Sequence, residues 1–202
     1  GILNDRLRGF YRSTLVADDG TERTIAATQF QSTDARRAFP CFDEPDMKAT
    51  FGVSLIVSED LLAVSNGAQA SRTPLGNGTD RVAFVDTIPL STYLVAFVVG
   101  PLEATEPVDV DGVPVRVVYP PGRGHQTAFA LEVATHSLRW LADWYDLEVP
   151  GGKVDLVALP DFAFGAMENL GCITFREVLL LVDPDEADQR ELEAVASVVS
   201  HE

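Results

Sequence analysis

With 202 residues, 46% of them hydrophobic, the chain can bury a substantial core as one large domain or two small ones. Its 31 acidic residues against 15 basic ones give a net charge of −16, which argues against nucleic acid or an anionic membrane as partner and favours cationic groups such as a peptide's amino terminus. No run of about 18 uninterrupted apolar residues occurs, so no segment reads as a membrane-spanning helix. Cys41 and Cys172 form neither a Cys-x-x-Cys motif nor a dense disulfide framework. Two buried thiols in a reducing compartment are expected, and with them a cytoplasmic location. Residues 1–6 lack the basic and apolar blocks of a secretion signal, which leaves one further upstream open.

From Thr28 to about Gly100 the pattern is strand-like. Thr50 to Val57 alternates and then becomes continuously apolar, Arg81 to Val85 alternates, and Thr92 to Val99 reads as a buried strand. Asn66-Gly67 and Gly76-Asn77-Gly78 supply turn residues, so successive antiparallel strands are expected. After Gly100-Pro101 the character changes. Val113 to Val118 reads as a strand, Pro120-Pro121-Gly122 as a break, and Gln126 to Tyr145 as a helix, because Phe129, Val133, Trp140, Leu141 and Trp144 recur at three- and four-residue steps. Lys153 to Leu159, Cys172 to Phe175 and Val178 to Val182 read as further strands. Helix-start chemistry then occurs twice, at Asp183 to Glu186 and at Asp188 to Glu191, and either can open a last helix whose apolar stripe is Leu192, Val195 and Val199.

That helix carries His201-Glu202. A zinc hydrolase needs neutral imidazoles or carboxylates on the metal, an open coordination position for water, and a base to take that water's proton. In His-Glu-x-x-His the imidazoles lie one turn apart on one helix face and the intervening Glu reaches the water. His201 and Glu202 are the first half of such a pattern, and the second His is not in the sequence. Alone, the dipeptide is better explained as a solvated helix end. His125 follows a Gly-rich loop and His136 lies on the other helix; neither has ligand spacing to His201.

The surrounding motifs change that weighting. Pro160-Asp161-Phe162-Ala163-Phe164-Gly165-Ala166-Met167-Glu168-Asn169-Leu170-Gly171, together with Thr28-Gln29-Phe30-Gln31, Ala38 to Pro45 and Ser91 to Leu94, resembles the aminopeptidase N-like family of zinc exopeptidases. The combination of Gly-Ala-Met-Glu-Asn with a His-Glu about thirty residues later carries the resemblance, which runs from Gly9-Phe10-Tyr11 to the end of the sequence.

The resemblance implies a β-rich amino-terminal domain of saddle-like antiparallel sheets over residues 1–100, expected to lack its first strands, then the start of a mixed α/β thermolysin-like catalytic domain over 101–202, cut within the zinc-binding helix. It implies zinc as cofactor, His201 as a metal ligand, Glu202 as general base and Glu168 as the anchor for the substrate's free ammonium, with Gly165, Ala166, Met167 and Asn169 aligning the peptide. Gln29 matches a residue lining the amine pocket. Gln31 stands where many members have a second carboxylate; it accepts a hydrogen bond but brings no negative charge, as in the branch that includes aminopeptidase B and leukotriene A4 hydrolase. Release of amino-terminal residues from peptides by the complete protein is therefore expected, and inactivity of residues 1–202 alone, where His201 is one ligand of the three a catalytic zinc site needs. The alternatives are a catalytically dead peptide-binding or scaffold homologue, and an aminopeptidase/epoxide hydrolase suggested by Gln31. Arg36, Arg37, Asp43 and Glu44 read as turn-fixing charges.

Overall fold

The structure is a computed structural model that describes residues 2–17 and 20–202. Strands β1 (Gly9–Val16) and β2 (Glu22–Gln29) form a hairpin paired from Gly9↔Gln29 to Val16↔Glu22. With β4 (Leu62–Ser65) and β7 (Phe97–Gly100) they make an antiparallel sheet in the order β1-β2-β7-β4. A second antiparallel sheet holds β3 (Ser54–Ser58), β6 (Thr79–Phe84) and β5 (Gln69–Pro74) in the order β3-β6-β5. The β5–β6 connection needs left-handed backbone, and glycine supplies it at Gly76 (φ 77°) and Gly78 (φ 76°).

The chain then builds a mixed sheet from β8 (Glu103–Ala104), β9 (Val108–Val110), β10 (Val113–Tyr119), β11 (Val154–Leu159), β12 (Ala166–Met167) and β13 (Cys172–Arg176). Its order is β12-β13-β11-β10-β8, with β9 also on β10. Strands β10, β11 and β13 run parallel, and helix α1 (Ala128–Tyr145) makes the crossover that a parallel β10–β11 pair requires. A β-rich amino-terminal part of antiparallel sheets followed by a helix and a mixed sheet is the expected fold class.

All six residues of β11 are buried, as a parallel strand covered on both faces should be. Alternation divides them between two cores. Val154, Leu156 and Ala158 pack with Ala130 and Ala134 of α1 and with Val195 and Val199 of α2 (Gln189–His201). Val157 and Leu159 pack with Tyr11, Ile25, Ala27 and Val98 of the four-stranded sheet. The amino-terminal sheet thus forms the roof of the mixed sheet.

Three local expectations are corrected. Thr92–Leu94 is a 3-10 turn and the strand begins only at Phe97, because the Asn66 side chain claims the backbone in between, binding both the Leu94 carbonyl and the Ala96 N–H, while Thr92 Oγ1 anchors the turn by donating to Asp43 Oδ1 at 2.6 Å. The apolar run at Val178 to Val182 is not a strand; Glu177–Leu179 is a 3-10 turn, and Leu180 and Val182 join the helix-side core. At Asn66-Gly67 the glycine does not supply positive φ. It lets the backbone pass against Val85, whose carbonyl a β-carbon there would overlap. Of the two helix starts, Asp188 is the one used: its carboxylate accepts from the N–H groups of Arg190 and Glu191, and Glu191 returns a bond to the Asp188 N–H.

No helix among the described residues is long and apolar enough to cross a membrane, and both cysteines are unpaired.

Candidate active site

Strand β12 and the last turn of α2 meet at a cleft of about 640 Å³, lined by Gly165, Ala166, Ala196, Ser197, Val198, Ser200, His201 and Glu202. Each side of this cleft has a physical reason. On one, β12 is the terminal strand of the mixed sheet, paired to β13 through Ala166↔Phe175 and Met167↔Thr174, so its outer edge carries no neighbouring strand. The carbonyl of Gly165 is taken on the inner side by the N–H of Arg176 at 2.8 Å. A small-residue edge strand facing a cleft is suited to an extended peptide, which can add to it by backbone hydrogen bonds. On the other side, Leu192, Val195, Val198 and Val199 seat α2 against the helix-side core, and that stripe turns His201 and Glu202 outward to the cleft.

His201 is exposed and Glu202 half-buried. Burial pushes the Glu202 carboxyl above its usual range; the nearby Glu168 carboxylate adds to the rise, and His201 opposes it. Glu168 is therefore close enough to share the field of the cleft, although it does not line it. Its side chain is exposed and has no hydrogen-bond or ion-pair partner among the described residues.

The other candidates divide. Met167 is 1% exposed and packs in the roof core with Phe162 and Leu159. Asn169 is also 1% exposed and keeps its side-chain amide inside the segment, donating to Thr174 Oγ1 at 3.2 Å and to the Met167 carbonyl at 3.4 Å. Gln31 is exposed, beyond the end of β2, and precedes a cis peptide bond to Ser32. Gln29, the last residue of β2, is 1% exposed, and among the described residues neither Nε2 nor Oε1 has a hydrogen-bond partner. Ile25 and Ala27 share a core with Met167, and strand alternation places Gln29 on that same face. A buried amide with no partner is costly, and one facing a peptide site has a use for its free donor and acceptor.

His201 offers one imidazole to a metal. Among the described residues no three His, Cys, Asp or Glu side chains gather as a ligand set, and His125 and His136 are exposed on and before α1. Residues 1–202 thus furnish one donor and an adjacent carboxylate, which fits the beginning of a catalytic zinc site and does not complete one.

Sequence reasoning had no signal for what holds segment 161–171 in place. Asp161 is clasped by β1: its Oδ2 accepts from Ser13 Oγ at 3.2 Å and from the Thr14 N–H at 2.7 Å, and its carbonyl accepts from Tyr11 Oη at 3.1 Å. Lys153, 5% exposed, donates to the carbonyls of Ser65 and Gly171, both at 2.6 Å, and to Asp155 Oδ2 at 2.8 Å. Arg116 completes that cluster with a two-point bond to Asp155 at 2.7 and 3.1 Å.

Comparison with known proteins bears on the family of the chain. Residues 1–94 match the Peptidase M1 N-terminal domain and residues 129–202 the Peptidase family M1 domain. Over its whole length the chain is 47% identical to a puromycin-sensitive aminopeptidase of Caenorhabditis elegans, 43% to aminopeptidase M1 of Arabidopsis thaliana and 38% to a glutamyl aminopeptidase of Bos taurus. It spans only 21%, 23% and 21% of those proteins, respectively. The two domain matches, in this order and on these residues, show that the chain belongs to the peptidase M1 family.

Proposed function

We propose that the longer protein of which this chain forms about a fifth by its relatives' lengths is a zinc-dependent aminopeptidase, and that residues 1–202 supply its amine anchor, its peptide-aligning strand and the first part of its metal site. The observation that carries this reading is the shared cleft: Ala166 of an open edge strand and Gly165 just before it line one side, and His201 and Glu202 at the end of α2 the other. Bound zinc would polarise the scissile carbonyl and lower the pKa of water.

The chain's own residues have the remaining tasks. His201 would be one metal ligand. Glu202, whose carboxyl burial pushes upward, would accept the proton of the attacking water and return it to the leaving amine. Glu168, exposed and free of other partners, would bind the substrate's ammonium, and the net charge of −16 favours the approach of such cationic termini. Gln29 would use its unpaired amide in the same pocket, with Gln31 at its rim. The β12 edge would hold the peptide extended, with Ala166 and the backbone on either side of Met167 as its contacts, while Asn169 keeps the bend after it in shape. In this proposal the chain divides into an amino-terminal domain at 1–100 and a catalytic portion from 101, a reading supported by the change from antiparallel to mixed sheets. A cytoplasmic location belongs to this proposal on the strength of the two unpaired thiols.

With one imidazole at the cleft, residues 1–202 alone should neither bind zinc tightly nor cleave peptides. The test is a pair of measurements, zinc content and release of amino acid from an aminoacyl anilide, on the short chain and on the full-length protein. Activity and stoichiometric zinc in the long form only are expected. Stoichiometric zinc or turnover in the short chain would contradict the division of labour, and absence of both from the long form would make the protein a peptide-binding homologue without catalysis.

A further inference from the structure

Segment 161–171 carries Gly165 and Ala166 to the cleft and holds Glu168, yet between its ends no side chain of the amino-terminal sheets among the described residues hydrogen-bonds it. Because Glu168 has no protein partner among the described residues, no side-chain bond holds its carboxylate, and the position of the backbone sets the region that carboxylate can reach. That backbone is held along its middle by the pairing of Ala166 and Met167 with β13 and by the Arg176 bonds to the Phe162 and Ala163 carbonyls, and at both ends by the amino-terminal part.

At the leading end, Ser13 Oγ donates to Asp161 Oδ2 at 3.2 Å and accepts from the Asp161 N–H at 3.0 Å, beside the bonds from Thr14 and Tyr11. At the trailing end, Asn66 is 2% exposed and fully used. Its Nδ2 donates to the carbonyls of Leu170 and Leu94, each at 2.8 Å, and its Oδ1 accepts from the Ala96 N–H at 2.9 Å. One amide therefore ties the end of the Glu168 segment to the strand pair β4–β7. The attachment points, Asp161 and Leu170, lie seven residues before and two residues after Glu168.

We propose that Asn66 and Ser13 are positioning residues for recognition of the substrate's ammonium: they clamp the two ends of segment 161–171 to the amino-terminal sheet and so fix Glu168 relative to the cleft. The inference rests on the reading of Glu168 as amine anchor. A charge-assisted hydrogen bond is directional and short, and a displacement of the order of 1 Å at a positioned group is enough to cost up to about a hundredfold. The amino-terminal part is then a component of the specificity device as well as a cover for the core. The competing account gives Asn66 and Ser13 a purely structural role, in which their loss lowers stability and leaves amine recognition alone.

The test uses the full-length protein and two probes, leucine hydroxamate and its des-amino analogue; the inhibition constant of the des-amino probe divided by that of leucine hydroxamate reports amine recognition alone. Asn66→Ala should lower that ratio by about tenfold, the scale of one charge-assisted bond, with little change for the des-amino probe. Ser13→Ala, which leaves the Thr14 and Tyr11 bonds in place, should lower it less and in the same sense, and it carries the test if Asn66→Ala does not fold. In a Glu168→Gln background neither change should lower the ratio further, and amide exchange at 165–170 should quicken in both variants. A ratio that falls in Glu168→Gln but not in the folded clamp variants overturns the positioning role and keeps the anchor. A ratio unchanged in Glu168→Gln overturns both.

Discussion

The carbonyl oxygen of Asn66 occupies the place where a β-carbon on Gly171 would stand, and Gly171 itself has φ +70°. Two independent requirements therefore meet at one residue, a left-handed backbone and a close approach between the amino-terminal sheet and the turn after Glu168. Gly171→Ala should destabilise the chain by about 2 kcal/mol or more, since positive φ and backbone overlap add. Urea unfolding of the 202-residue chain reads this as a lower midpoint, and an unchanged midpoint would mean that the junction is looser than described.

Lys153 sits at the same junction with its ammonium committed to two carbonyls and Asp155. Lys153→Met keeps the length of the side chain but removes the ammonium from the Ser65 and Gly171 carbonyls, the second of which keeps its bond from the Asp155 N–H, and leaves the Asp155 carboxylate to Arg116. A loss of about 3 kcal/mol is expected, typical of breaking a buried ion pair. Arg116→Met should cost less, because the Arg116 side chain is 33% exposed and that of Lys153 only 6%. Equal losses in the two variants would contradict this ranking.

The same cluster gives stability an acid limb. Burial opposes ionisation of Asp155, but Lys153 and Arg116 outweigh it and hold the carboxyl below its ordinary 3.8. A carboxyl with a folded pKa below its unfolded value contributes stability above the unfolded value and loses it as pH falls through the folded one. Stability measured between pH 6 and about pH 2 should therefore drop below about pH 4, and Asp155→Asn should be less stable at neutral pH with a flatter acid limb. An acid limb equally steep in Asp155→Asn would assign it to other carboxylates.

Helix α2 depends on its capping box for the placement of His201 and Glu202. Asp188→Ala removes the acceptor for the N–H groups of Arg190 and Glu191 and should cost about 1 kcal/mol. The loss should appear in the helical circular-dichroism signal at 222 nm as earlier thermal fraying. Asp183→Ala, at the helix start that the fold does not use, should be near neutral, although Asp183 Oδ1 accepts one exposed bond from the Asp185 N–H.

These variants also separate what the sequence could reveal from what it could not. Periodicity was enough for α1 and for β10, β11 and β13, because β-branched runs bounded by Pro and Gly have few other readings. It failed at Thr92 to Leu94, where Asn66 takes the backbone groups and the Thr92 hydroxyl donates to Asp43, and at Val178 to Val182, where Leu180 and Val182 are buried from a turn. The site followed the same division. Gly165, Ala166, His201 and Glu202 were legible as a motif pair and do share a cleft. The clasp of Asp161 by Ser13 spans 148 positions and that of Leu170 by Asn66 spans 104, and nothing local in either stretch announces the partner. Asn66 read as a turn residue because Asn-Gly is a turn signal, while its burial is a tertiary fact.

The most direct measurement is the turnover and zinc content of the full-length protein with Glu202→Gln beside the unaltered form. Glu202 is assigned to proton transfer rather than metal ligation, so zinc should remain stoichiometric while kcat for an aminoacyl anilide falls by about 10² to 10⁴-fold. Full activity in Glu202→Gln, with zinc retained, would contradict the role given to the cleft formed by β12 and α2.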